Sequence, residues 1–360
     1  MTDATTRAGL RPASVFGVAI GPGTVRRSRP PDGRSVGLAT GELPSPVKRP
    51  SFSSRLFPAF CGIIATFATG CAAPRSGPVA SHTPIRVRCV QRSLSDGAEV
   101  RATIATIDLN HPRLRVEVSG PVFDAPPGVE ATLETTPAWA LVRDLDLAVN
   151  ANFFAMVRPR EPYAPGGQAD VLGLCVSDGR LVSPPRSFGG QGDPALLLLN
   201  DGRATIRRVD TPPGPEVRHA VAGIGASSSD PDRGSLLIEG GVDRSATSRV
   251  EPLARHPRTA AGVTQDGRRL VLVVVDGRRP GWSEGMTLPE LAAFMLELRV
   301  HDAVNLDGGG SSTIVWRESP EGPWRTNRAS EARGFRPVST SLGFRWEREV
   351  GCLVAPTPDG

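Results

Sequence analysis

A chain of 360 residues with 39% apolar content is long enough to bury a substantial core as one large or two ordinary domains. Its pI of ≈ 9.4 invites a nucleic-acid reading, but residues 1–71 hold nine Lys/Arg against three Asp/Glu, which leaves 33 basic and 34 acidic residues beyond them. Basicity belongs to the leader, and the signs are interspersed along the body, so composition argues against a nucleic-acid partner.

In chain order, residues 1–46 are rich in Pro, Gly and Arg and lie upstream of a segment that ordinarily begins a chain. They are expected to be disordered or untranslated, with initiation at Val47; a precursor peptide from this stretch would contradict that. Lys48, Arg49 and Arg55 precede an apolar run from Leu56 to Thr69, too short to span a bilayer, and small residues lead to Cys71. Residues 47–71 thus read as an export signal. Gly70 before Cys71 resembles a lipoprotein box, so Cys71 is a candidate lipidation site and the only expected tie to a membrane. Residues 72–84 form a polar, proline-broken linker. Export places the remaining thiols, Cys89, Cys175 and Cys352, in an oxidising setting. Cys89 and Cys352 flank the body, and a link between them is one option; Cys175 sits in an apolar strand pattern and reads as buried. Neither Cys nor His spacing resembles a metal site, and no metal or cofactor is expected.

The body, residues 85–350, is followed by a tail at 351–360. Ala102–Leu109 and Leu114–Val118 alternate with period two and predict strands. Asp178-Gly179, Asp201-Gly202 and Asp266-Gly267 each stand between apolar runs and predict hairpins. A helix is predicted over 138–147, opened by Thr136 and Pro137. A second opens at Thr287-Leu288-Pro289-Glu290, a capping box, with Leu291, Phe294, Met295 and Leu298 on one face. The expectation is a single α+β domain with a largely antiparallel or mixed sheet and a few packed helices.

Five clusters carry chemistry. Asn305-Leu306-Asp307-Gly308-Gly309-Gly310-Ser311-Ser312 puts a carboxylate at the end of an apolar run, and consecutive glycines free main-chain N–H groups to line a nest for phosphate or sugar. Asn150 and Asn152 offer amide donors and acceptors suited to sugar hydroxyls. Arg258 is suited to bidentate phosphate binding, with Thr259 adding a hydroxyl. The run Val271–Val275 ends in Asp276, Gly277 and Arg278, and Trp282 in the following loop suits the face of a sugar.

The order of these motifs resembles the phosphodiester glycosidase family: Arg-Thr-Ala-Ala-Gly from Arg258, Val-Val-Val-Asp-Gly-Arg from Val273, Gly-Met-Thr-Leu-Pro-Glu-Leu-Ala from Gly285, then Asn-Leu-Asp-Gly-Gly-Gly-Ser-Ser from Asn305. The resemblance runs from Asn150 to Trp316 and weakly to Phe344. It implies a hydrolase acting on the C1–O bond of a sugar-1-phosphodiester; with the export signal at 47–71, the expected substrate is a cell-surface glycan or exopolysaccharide of bacterial type. By implication Asn152, Arg258, Asp276 and Asp307 with Gly308, Gly309, Gly310 and Ser311 line the pocket; with the reading of the residues themselves, Asp307, Asp276 and Arg258 are the expected catalytic groups, and Asn150, Asn152, Thr259, Arg278 and Gly308 to Ser311 are expected to bind the carbohydrate phosphodiester. Many relatives have Asn-Gly-Gly where this chain has Asn150-Ala151-Asn152, so either Asn is a candidate ligand contact. In that scheme Arg258 and the loop amides hold the phosphodiester, and one of Asp307 and Asp276 acts as base or nucleophile while the other assists. A non-catalytic glycan-binding module and a phosphodiesterase cutting the P–O bond are the competing readings.

Overall fold

The computed structural model describes residues 83–186, 192–224, 236–245 and 251–347. The predicted leader, the signal with Cys61 and Cys71, all but the end of the linker, Cys352 and the tail lie outside the described residues.

The described residues are mostly antiparallel β-sheet. Strands are numbered along the chain. The largest sheet has the order β1 (Ile85–Ser93), β2 (Glu99–Asp108), β16 (Arg269–Val275), β15 (Arg258–Val263), β17 (Asp302–Asn305), β13 (Leu236–Glu239), β14 (Val242–Asp243). A second has the order β19 (Arg325–Thr326), β18 (Ile314–Trp316), β5 (Leu147–Asn150), β20 (Ser341–Trp346), β3 (Leu114–Val118). A third runs β11 (Ala204–Val209), β10 (Asp193–Leu199), β12 (Val217–Ala222), β8 (Cys175–Ser177), β9 (Arg180–Ser183). The smallest runs β4 (Ala131–Thr132), β7 (Gln168–Leu172), β6 (Phe153–Met156).

The three Asp-Gly hairpins form as predicted, joining β8 to β9, β10 to β11 and β15 to β16 in antiparallel register. Asp178 and Gly179 both have positive φ, +48° and +73°, the left-handed pair that a tight two-residue turn demands. Cys175 is buried and unpaired, and Cys89 is an exposed free thiol. Burial pushes the Cys175 thiol well above its usual range, consistent with an inert core residue.

The continuous apolar run of β16 has a simple cause, since both faces of its sheet are covered. Leu270, Leu272 and Val274 pack with Leu147, Val149, Leu196, Ile314 and Phe344 of the second and third sheets. Val271, Val273 and Val275 pack on the other face with Leu288, Leu291, Phe294 and Met295. Those four belong to helix α2 (Leu288–Glu297), whose capping box at Thr287 and Glu290 forms as predicted. The first helix is shorter than predicted. Helix α1 (Thr136–Val142) is capped by Thr135, whose hydroxyl accepts from Ala138 N. It stops because Asp144 turns left-handed at φ +52° and Asp146 is drawn inward to the Arg317 guanidinium and Trp346 N. The chain then re-enters as strand β5 from Leu147.

Helix α2 seats against β15 where Gly262 leaves room; a Cβ there would lie 2.8 Å from the Met295 terminal methyl and 2.9–3.0 Å from Val300. Gly262→Val is expected to lower stability by about 1–3 kcal/mol through overpacking, measured as a lower urea midpoint at unchanged m-value.

Candidate active site

The end of β15 at Arg258, the end of β16 at Val275 and the end of β17 at Asn305 lie together, because β15 pairs antiparallel with both neighbours. The segments that leave this edge are Pro257, Asp276 and the loop from Leu306. Asn150, at the end of β5, reaches the same place from the second sheet. Its Nδ2 donates to Asp307 O at 2.6 Å, while its Oδ1 accepts from Thr259 Oγ1 at 2.8 Å and from Thr313 N at 3.0 Å. Asp307 N donates to Ala151 O, Leu306 N to Thr259 O and Gly309 N to Pro257 O, at 2.8–3.0 Å. Asn150 is fully buried, so it acts as a clamp on the glycine loop, and its amide is not presented to a ligand.

The loop differs from the expected nest. The N–H groups of Asp307, Gly309, Ser311 and Ser312 are bonded to Ala151, Pro257, Gly308 and Gly309 carbonyls, closing a tight 3₁₀ turn over Gly309–Ser311. Its glycines serve close approach instead. A Cβ on Gly309, which has φ +60°, would stand 3.0 Å from Arg278 Nη2, and one on Gly310 would collide with the Glu331–Arg336 ion pair. Two guanidinium groups therefore lie against this loop. Arg278 is exposed. Arg336 also lies over the Tyr163 ring, 4.6 Å from its centroid, and Tyr163 meets Phe154 edge-to-face at 5.7 Å.

Asp307 is partly exposed but closely surrounded. Burial pushes its carboxyl up to about 6, against the opposing pull of the Ser311 hydroxyl, the Arg336 charge and Gly308 N–H. Asp276 stands in different company. Its side chain is 7% exposed, burial likewise raises it to about 6, and Asn327 Nδ2 and Arg328 N donate to its Oδ1 at 3.0 and 3.2 Å. It borders a cleft of ≈ 510 Å³ with Trp282, Arg101 and Arg328, whose guanidinium groups lie 5.0 and 4.8 Å from the indole centroid. Neither carboxylate is among the charges that shift the other. The link between them is Asn327, whose Nδ2 also donates to Ser312 O at 3.2 Å.

The other predicted site residues are placed as follows. Arg258 is 2% exposed, and its Nε and Nη2 donate to the carbonyls of Met286, Glu251 and Ala254 at 2.8–3.0 Å. Burial lowers it to about 10. The expected phosphate ligand is thus an internal tie holding the segment before β15 to the entry of α2. Asn152 is also buried, donating to Leu174 O at 3.0 Å and accepting from Thr340 Oγ1 at 3.3 Å. Thr259 is buried with its hydroxyl on Asn150. Ser311 is buried behind Asp307.

Sequence reasoning missed Arg336, Glu331, Tyr163 and Asn327. Tyr163 carried a usable signal, as the sole tyrosine of the chain in a Pro/Gly-rich loop. Arg336, Glu331 and Asn327 lie in a stretch without periodicity, where only the fold brings them to the site.

The family profile described as Phosphodiester glycosidase matches residues 143–345, which include Asn150, Arg258, Asp276, Arg278, Asp307 and Arg336. The chain belongs to the phosphodiester glycosidase family. It is 31% identical over 197 residues to the mouse (Mus musculus) N-acetylglucosamine-1-phosphodiester alpha-N-acetylglucosaminidase, covering 51% of this chain and 34% of that protein. Against the cattle (Bos taurus) protein of the same name it is 48% identical over 58 residues, 16% of this chain and 10% of that one. The chain thus spans about a third or less of the length of the curated relatives it matches. The zebrafish catalytic domain of that name, auto-inhibited by its pro-peptide, superposes with a TM-score of 0.54 at 21% identity, over 75% of this chain and 85% of that one. That likeness speaks to the fold of this phosphodiester glycosidase family member.

Asp276 offers a test of the site's electrostatics. A folded-state pKa near 6 against an ordinary 3.8 contributes stability that is present below the ordinary value and lost as pH rises through about 6. Asp276→Asn keeps an acceptor for Asn327 and Arg328, so it is expected to be more stable than the parent at pH 7, on the order of 2–3 kcal/mol, with no such gain at pH 4. Urea midpoints at the two pH values check this, and the difference between proteins isolates Asp276 from Asp307 and Asp193, both also held near 6 by burial.

Proposed function

We propose that this chain is an exported hydrolase that cleaves the C1–O bond of a sugar-1-phosphodiester in a cell-surface or extracellular glycan such as a bacterial exopolysaccharide. In this reading residues 85–350 act as one α+β catalytic unit, delivered by the signal at 47–71 and held at the envelope by lipid on Cys71. The observation that carries it is the setting of Asp307: an acid with a pKa near 6, clamped by its backbone, with Arg278 and Arg336 against the adjoining glycines. Family membership and the mouse relative's name support the substrate class.

The chemistry suits these groups. A sugar-1-phosphodiester leaves as a phosphate monoester, already a stabilised anion with a second pKa near ~6. Strong acid assistance is therefore less necessary than for an alkyl glycoside; the reaction needs charge stabilisation and a group that attacks C1 or activates water. Arg278, exposed beside the glycine loop, takes the phosphodiester in place of the buried Arg258. Arg336 lies beside both Asp307 and Tyr163, whose half-exposed ring offers a platform for a sugar face. Asp307 in its ionised form acts as base or nucleophile, a role for which a pKa just below neutrality is well matched. Asp276, through Asn327 and Ser312, positions the loop.

Hydrolysis of a synthetic sugar-1-phosphodiester in ¹⁸O-labelled water is expected to release free sugar and an unlabelled phosphate monoester, because water attacks carbon. Label in the phosphate would select P–O cleavage, and no turnover would favour a glycan-binding module. The rate is expected to rise with pH through about 6 and then level. Asp307→Asn is expected to lower kcat by about 10²–10⁴-fold while folding normally; substantial residual activity would remove Asp307 from this role.

A further inference from the structure

The seven-stranded sheet has two ends of opposite character. One carries the candidate active site. At the other, strand β1 begins, the β15–β16 hairpin turns through Asp266-Gly267, and the described chain enters at Thr83. Ile85 pairs with Ile107, which pairs in turn with Leu270, so the entering chain and the hairpin share one edge. Seven residues separate Arg269 from Asp276 along β16, which places the two ends about 23 Å apart.

A broad concavity of ≈ 910 Å³ occupies this far end, and Thr83 is part of its lining. Arg86, Arg88, Arg268 and Arg269 line it against two acids, Asp108 and Asp266. All four arginines are exposed; Arg268 lies near enough to Asp266 for its charge to lower that carboxyl, and Arg269 stands across from Asp108 in the β2–β16 register. Asp266 is turned inward to its own hairpin, bonded by Thr264 Oγ1 at 2.6 Å and Arg268 N at 3.1 Å. On β1 the arginines alternate with Ile85 and Val87, which pack on the core, so the strand period itself turns Arg86 and Arg88 to the outer face. In a chain that carries 33 basic and 34 acidic residues beyond residue 71, four arginines against two aspartates are a local excess of positive charge.

We propose that this arginine face docks on an anionic phospholipid surface, orienting the domain with its candidate active site directed away from the membrane. Charge complementarity supplies the attraction: arginines near an anionic leaflet each contribute on the order of 1 kcal/mol, within a Debye length. The chain outside the described residues supplies the geometry. Twelve residues from Cys71 to Thr83 reach at most about 40 Å when extended, and the described chain begins, at Thr83, within the lining of the arginine face itself. Lipid at Cys71 would hold that face at the bilayer, a clause that rests on the envelope reading above. The docking itself does not need the lipid.

The test uses the full chain with Cys71→Ser, so that failure of the lipidation reading leaves its outcome unchanged. Co-sedimentation is measured with phosphatidylglycerol–phosphatidylcholine vesicles and with phosphatidylcholine alone. The expected result is preferential binding to the anionic vesicles that falls with added salt. Replacing Arg86, Arg88, Arg268 and Arg269 together by Gln is expected to weaken it by at least about a hundredfold, at roughly fivefold per arginine, with turnover of a soluble phosphodiester unchanged. The Arg268→Gln, Arg269→Gln pair, confined to an exposed hairpin edge, is expected to lose at least about tenfold and covers the case in which the quadruple variant misfolds. Equal binding to neutral and anionic vesicles, the signature of the apolar segment 56–69 alone, would overturn the proposal. So would undiminished anionic binding by the variants.

Discussion

One buried amide ties this molecule's site together. Asn150 stands where the second sheet meets the seven-stranded sheet, and its side chain bonds the main chain of Asp307, the hydroxyl of Thr259 and the N–H of Thr313. These partners come from β15 and from the two ends of the connection between β17 and β18, and the buried Thr259 hydroxyl and Thr313 N–H would lose a mate if the amide were absent. An amide here donates from one atom and accepts two bonds at another, a span that a single hydroxyl oxygen does not provide. The arrangement therefore fixes the residue type as strongly as it fixes the loop.

From that clamp the rest of the site follows. Asp307 is held at its carbonyl by Asn150 and at its N–H by Ala151, and in that place burial raises its carboxyl to about 6. The loop beyond it must turn at once, and glycine at 309 and 310 lets Arg278 and the Glu331–Arg336 pair close on it. Arg258 performs the complementary task from below, tying Glu251, Ala254 and Met286 so that β15 begins where the loop needs it. Asp276 and Asn327 brace the far side through Ser312. The groups held most firmly are thus a scaffold, with Arg278 exposed at its edge and Arg336 paired to Glu331 beside it.

Much of this was legible in the residues. The Asp-Gly turns, the capping box at Thr287 and the strand at Val271–Val275 formed as read, because local turn chemistry, capping and apolar runs decide those features. The helix after Thr136 was read five residues too long; its apolar content continues through Leu147, and the stop comes from Asp146 being drawn inward by Arg317 and Trp346, far away in sequence. Membership of the site was easier to read than role. Arg258, Asn150 and Asn152 look like ligand contacts as residue types, yet each has its bonds directed inward, a fact of three-dimensional burial that no local pattern carries. Arg336 reaches the loop from 29 residues after Asp307 and Tyr163 reaches Arg336 from 144 before it, so only the fold brings them together.

The central claim is that Asn150 holds Asp307 in its working position and ionisation range. The most direct measurement is the pH–rate profile of Asn150→Ala on a sugar-1-phosphodiester, taken at a temperature where circular dichroism shows it folded. The account predicts a fall in kcat of about 10²-fold from loss of positioning, with the acidic limb of the profile moved below 6 as the loosened carboxyl gains solvent. A folded Asn150→Ala protein with the parent's rate and the parent's acidic limb would contradict it.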